Sequence, residues 1–99
     1  MSKIYISGPM TGYDNFNKNA FDSAKRKLEA INVYDQVITP FDIASIQEQN
    51  SWLFYMKLDI KALMDCDAIY VLKGYENSKG ATIEVNLAKS LSYPIFYEQ

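Results

Sequence analysis

Two carboxylates stand where helices ordinarily carry apolar side chains. On a helix running from about Gly80 to Leu91, a step of about 100° per residue puts Ala81, Leu87, Ala88 and Leu91 within about 60° of Glu84. On a second helix, from about Ser51 to Met64, the same projection gathers Trp52, Tyr55, Met56, Ala62, Leu63 and Cys66 around Asp59, while Lys57 and Lys61 point away. A helical pattern over Asp14 to Ile31 behaves differently, with Asp22 and Glu29 opposite its apolar stripe of Phe16, Ala20, Phe21, Ala24, Leu28 and Ile31. A charge in apolar surroundings must be hydrogen-bonded, neutralised by a raised pKa or set at a cavity, and functional sites use all three. The bland alternative for each acid is a place at the end of its stripe, exposed by fraying or bonded to a backbone amide.

The remaining composition narrows the chemistry. The chain has 99 residues, ten basic and twelve acidic, a formal net charge of -2, no histidine and one cysteine. Without histidine, Ser-His-Asp and Cys-His catalysis and the commonest metal ligand are excluded together. Chemistry falls to carboxylates, hydroxyls, amides and backbone, with no metal and no cofactor expected. A mildly acidic total with scattered lysines argues against a binder of duplex nucleic acid, whose affinity comes from neutralising phosphates. The lone Cys66 forms no internal disulfide and suits a reducing compartment. No apolar run approaches the roughly 18 residues of a membrane span, and no signal peptide is recognisable, so a cytoplasmic protein without membrane association is expected.

The elements that must position the acids follow from local pattern. KIYIS (Lys3 to Ser7) reads as a strand stopped by Gly8-Pro9, and Asp14 is a candidate N-cap for the first helix. QVIT (Gln36 to Thr39) is a brief strand ended by Pro40, followed by a polar connection from Phe41 to Gln49. AIYVL (Ala68 to Leu72) is a nearly continuous apolar strand of the kind buried on both faces of a parallel sheet. Gly74 to Gly80 is a loop, and Pro94 to Tyr97 a last strand. The order βαβαβαβ predicts an α/β fold, a three-layer sandwich with a small parallel sheet, in a single domain over residues 1–99. Ligands then bind beyond the carboxyl ends of the strands, where the loops after Ser7, Thr39 and Leu72 gather.

Two of those loops carry glycine and hydroxyl groups. Ser7-Gly8-Pro9-Met10-Thr11-Gly12 either offers backbone N–H groups to an anion at a helix N-terminus or is a plain strand-to-helix turn. It lacks the dinucleotide fingerprint and the P-loop lysine. In Asn77-Ser78-Lys79-Gly80, Ser78 either caps the helix or bonds a phosphate. Tyr5 alternates with Ile4 and Ile6, in the core with its hydroxyl at the rim. Trp52, Phe54 and Tyr55 overload one chain's core and suggest a subunit interface. A phosphoacceptor receiver would need an aspartate at a strand end, and neither KIYISG nor AIYVLKG supplies one.

IYISGPMTG, the Asp59 of YMKLDIKALMDCDAIYVL, and SKGATIEVNLAKSL together resemble the nucleoside 2-deoxyribosyltransferase superfamily, including the 2'-deoxynucleoside 5'-monophosphate N-glycosidases and the short members frequent in phages and bacteria. The resemblance covers nearly the whole chain and implies a flavodoxin-like sandwich. It implies Glu84 as the nucleophile on the anomeric carbon, Asp59 as the group that orients Glu84 or handles the leaving base's proton, and Tyr5 as the hydroxyl that positions Glu84. The substrate-binding set it implies is Ser7, Gly8, Pro9, Met10, Thr11, Gly12, Ser78, Lys79 and Gly80, with Ser78, Gly8, Thr11 and Gly80 cradling a 5'-phosphate. The implied ligand is a nucleotide or nucleoside, and the implied assembly a homodimer or higher homo-oligomer, in the host cytoplasm for a phage-encoded chain. An oxocarbenium-like transition state needs a carboxylate beside it and an acid for the leaving group, which these residue types supply. A catalytically silent nucleotide-binding module is the competing expectation.

Overall fold

The computed structural model describes residues 2–46 and 50–99. Four strands, β1 (Lys3–Ser7), β2 (Gln36–Ile38), β3 (Ala68–Val71) and β4 (Ile95–Tyr97), form one sheet in the order β2-β1-β3-β4. Every pairing is parallel, with Tyr5 beside Ile38 and Ile69, and Val71 beside Tyr97. The helices between them are α1 (Lys18–Ile31), the short α2 (Pro40–Ile43), α3 (Trp52–Met64) and α4 (Lys79–Ser90). The chain leaves β1 toward β2, then crosses back to β3 on the other side. That reversal puts the topological switch point at the carboxyl ends of β1 and β3.

Strand alternation sorts the core into two layers. Ile4, Ile6, Ala68, Tyr70 and Leu72 pack with Phe21 and Ala24 of α1 on one face of the sheet. Tyr5, Ile69 and Val71 pack with Leu63 of α3, Cys66, and Val85 and Ala88 of α4 on the other. Tyr5 and Ser7 share the period of two along β1, so both side chains belong to the α3 and α4 face. Each fully buried Ile, Leu or Phe contributes about 1.5–3 kcal/mol, which is why Ile4 and Ile6 of β1 and Ile69 and Val71 of β3 fill the centre of the sheet. Backbone ties close the strand ends, with the Leu72 N–H donating to Ser7 O at 2.8 Å.

The structure departs from the sequence expectation in three places. Asp14 does not cap the first helix. It opens a 3-10 turn over Asp14–Asn17 in which Asn15, Phe16 and Asn17 all have positive φ, and α1 starts only at Lys18. Phe16 matches the helical spacing by sequence, but the left-handed run turns its side chain away from the helix stripe. Ile31, at the other end of that stripe, is 59% exposed. The connection after Pro40 begins as α2, because the Asp42 carboxylate accepts both the Thr39 N–H at 2.9 Å and the Thr39 hydroxyl at 3.1 Å, and Pro40 presets the first turn. Gln47 to Gln49 of that connection lie outside the described residues. No helix among the described residues is long and apolar enough to cross a membrane.

Candidate active site

α3 and α4 each begin on a serine cap. Ser51 Oγ accepts the Phe54 N–H at 3.1 Å, and Ser78 Oγ accepts the Ala81 N–H at 3.2 Å. Capping is thus the structural duty of Ser78. From these starts the buried positions run Met56, Asp59 and Leu63 on α3, and Gly80, Ala81, Glu84, Val85 and Ala88 on α4. Both carboxylates therefore sit on the inward faces, Asp59 at 7% exposure and Glu84 at 4%.

They meet at one cavity of about 310 Å³ beside the ends of β1 and β3. Its floor carries the two acids. Its walls are largely apolar, with Met10, Phe16, Pro40, Ile46, Trp52, Tyr55 and Met56 among them, and its polar remainder includes Thr11, Asn50 and Ser78. Among the described residues no lysine or arginine lines it, and no group of three or more carboxyl or thiol side chains is arranged to hold a metal ion.

Glu84 is fixed from the sheet. Tyr5 OH donates to its Oε2 at 3.0 Å, and Ser7 Oγ donates to its Oε1 at 2.6 Å. Burial pushes Glu84 up to about 8; the Ser7 hydrogen bond pulls the other way, the neighbouring Asp59 charge adds to the rise, and the Tyr5 bond opposes it. Burial alone pushes Asp59 up to about 7. The Tyr5 hydroxyl is held well above its usual range by burial first, then by the charges of Glu84 and Asp59. The cavity thus offers two acids that exchange protons near neutrality, one of them immobilised at both oxygens.

Of the residues expected at the site, Gly8, Met10, Thr11, Asp59, Ser78, Gly80 and Glu84 line the cavity. Tyr5 and Ser7 stand behind Glu84 with no exposed surface. Pro9, Gly12 and Lys79 do not line it. Pro9 O accepts a hydrogen bond from Asn17 Nδ2 at 2.9 Å, and Lys79 Nζ lies 4.6 Å above the Trp52 ring. Of the two lining glycines, Gly8 is explained by packing, whereas Gly80 meets only the flexible end of a methionine. A Cβ on Gly8 would fall 2.7 Å from Leu72 Cβ, and one on Gly80 would fall 2.9 Å from Met56 Sδ.

Sequence reasoning missed Phe16 and the aromatic wall. Trp52 and Tyr55 line the cavity and Phe54 does not, although Trp52 and Phe54 are similarly exposed, at 41% and 46%. The signal for Phe16 was its flanking by Asn15 and Asn17, since asparagine tolerates the left-handed region.

A family model described as "Domain of unknown function (DUF4406)" matches residues 2–97. The chain belongs to the DUF4406 family. No curated protein matches it. Among solved structures, the DUF4406 chain is similar to the 2-deoxyribosyltransferase of Bacillus psychrosaccharolyticus, with a TM-score of 0.71 at 19% identity, over 97% of this chain and 71% of that one. It is also similar to a conserved protein from Enterococcus faecalis, with a TM-score of 0.68 at 20% identity, over 98% of this chain and 62% of that one. These likenesses establish the α/β fold of the DUF4406 chain.

Proposed function

We propose that this DUF4406 chain is an N-glycosidase or deoxyribosyltransferase-like enzyme that cleaves the N-glycosidic bond of a (deoxy)nucleoside or its 5'-monophosphate. The observation that carries the reading is the buried Glu84, gripped through both oxygens and facing the same cavity as Asp59. The fold shared with a 2-deoxyribosyltransferase supports it.

A Glu84 oxygen attacks the anomeric carbon, and the electron pair of the C–N bond leaves with the base, which takes its proton from Asp59. A glycosyl ester of Glu84 results. Water, deprotonated by the Asp59 carboxylate, then displaces Glu84 to give the free sugar, or a second base displaces it to give transfer. The aromatic walls Phe16, Trp52 and Tyr55 suit the flat face of a base, and the cavity volume falls at the lower end of the roughly 300–1,000 Å³ usual for small-molecule sites. Leu53 and Phe54 stay exposed beside the wall residues of α3, which supports assembly of like chains.

The test is incubation with each deoxynucleoside and deoxynucleoside monophosphate, followed by chromatography for free base, with Glu84→Ala as control. Base release by the wild type and none by the variant is expected. Ligand binding without release would mark a silent nucleotide-binding module, and release unaffected by Glu84→Ala would overturn the assigned chemistry.

A further inference from the structure

We propose that Ser7 is a positioning residue which, with Tyr5, keeps Glu84 as the anion of the buried pair and leaves their shared proton on Asp59. The proposal rests on the function above for its catalytic consequence, and on the hydrogen-bond geometry and burial of the pair for the placement of the proton. Ser7 closes β1 with no exposed surface and donates to Glu84 Oε1 at 2.6 Å. Tyr5, on the same face of the strand and equally buried, donates to Oε2 at 3.0 Å. Neither lines the cavity, so both act on a ligand only through Glu84.

Each hydroxyl has one proton to give, and each lies within hydrogen-bond distance of its own Glu84 oxygen. An ionised Glu84 satisfies the two at once. A protonated Glu84 keeps full acceptor strength at one oxygen only, so one of the two buried hydroxyl contacts is weakened, and the pair of donors favours the anion. Asp59 is situated the other way. It accepts no hydrogen bond from the described residues, so none of them offsets the desolvation of its charge. The titratable groups acting on Glu84 are Tyr5 from β1 and Asp59 from α3, with no lysine or arginine among them. The values of about 7 and about 8 are those of the interacting pair, and the hydrogen bonds decide which carboxyl holds the proton between them. At neutral pH this leaves a nucleophile already charged and an acid already loaded.

The experiment is a carboxyl ¹³C NMR titration of the ligand-free protein, with Glu84→Gln and Asp59→Asn to assign the resonances, repeated on Ser7→Ala and Ser7→Thr. In the wild type Glu84 is expected to lose its proton at lower pH than Asp59. Ser7→Ala raises the Glu84 midpoint by about one pH unit, the size of a lost hydrogen bond to a charged group, and Ser7→Thr restores it. In turnover, the acid limb of the kcat/KM profile moves with that midpoint while KM changes little. An unmoved Glu84 midpoint in Ser7→Ala, even with a lowered Tm, overturns the proposal, as does Asp59 ionising first in the wild type. A shifted midpoint in a protein that releases no base sinks the enzymatic reading and leaves the role of Ser7 intact.

Discussion

Gly8 at the end of β1 rests its bare Cα against Leu72 at the end of β3, so close that a Cβ on Gly8 would lie 2.7 Å from both Leu72 Cβ and Cδ1. Leu72 is 1% exposed and its Cβ moves only with the strand, so the contact cannot be relieved by a rotamer change. Gly8→Ala should therefore cost about 1–3 kcal/mol of stability, the usual range for overpacking a tight core. Urea unfolding of the variant measures it directly, and an unchanged midpoint would remove the close approach as the reason for this glycine.

Monophosphates should bind no more tightly than the corresponding nucleosides. Gly8 is explained by its packing on Leu72, the cavity carries two acids that disfavour an anion, and no cation among the described residues lines it. Lys79 instead lies over Trp52. Trp52 is the one tryptophan of the chain and a wall of the cavity, so its fluorescence reports occupancy. Titrating Glu84→Gln with a nucleoside and with its monophosphate gives the comparison. A monophosphate preference of tenfold or more, about 1.4 kcal/mol, would restore the cradle.

Strands and inward-facing acids were legible because they rest on periodicity: KIYIS and AIYVL cannot be exposed, and Glu84 and Asp59 sit mid-stripe on any helical projection. Their convergence on one cavity was implied only through the family resemblance, since relative placement is set by sheet order and not by spacing along the chain. The packing of Gly8 was illegible for a related reason, because a residue without a side chain looks the same in sequence whether it makes room for a ligand or for Leu72. Phe16 was lost to the helix pattern it happens to match. Ser7 was assigned to substrate, and only the strand's alternation beneath α4 reveals that its hydroxyl points to Glu84.

Phe16 holds φ at 55° between two asparagines that are also left-handed, a conformation that costs a non-glycine residue about 1 kcal/mol or more. Asn17 secures the run through its bond to Pro9 O. The strained run presents the ring to the cavity. Phe16→Gly should relieve the backbone while removing the wall, leaving stability within about 1 kcal/mol of wild type and weakening nucleoside binding by about tenfold. Parallel Tm and binding measurements separate the two, and undiminished affinity would show that the ring is not part of the ligand site.

Stability should fall as pH rises from about 4 to about 8. Folding raises the two carboxyls of the pair from 3.8 and 4.5 to the pair's values of about 7 and about 8, so across that window the folded chain holds protons the unfolded chain has released. Below it both states are protonated, above it both are ionised, and the loss in between is of order a few kcal/mol. Asp42 and Asp65, held low by Lys25 and Lys3 among other contacts, act only at the acid end. Urea unfolding at pH 5 and pH 8.5 should show the decline in the wild type and a much smaller one in the Asp59→Asn, Glu84→Gln double variant. A flat wild-type profile would mean that the two acids are solvated.

Asp59→Asn keeps the shape of the side chain and removes both its charge and its titration. Asp59 already holds a proton near neutrality and faces the cavity, so a neutral amide of the same shape should leave folding intact. As a proton donor to the leaving base it should be lost, lowering turnover by a factor of about 10² to 10⁴. The decisive comparison is between leaving groups. With an ordinary base the variant suffers the full loss, whereas a deoxyriboside whose leaving group departs as a stable anion needs no proton and should be nearly spared. Equal losses on both substrates would move Asp59 from proton transfer to the orientation of Glu84, because a misplaced nucleophile slows every substrate alike.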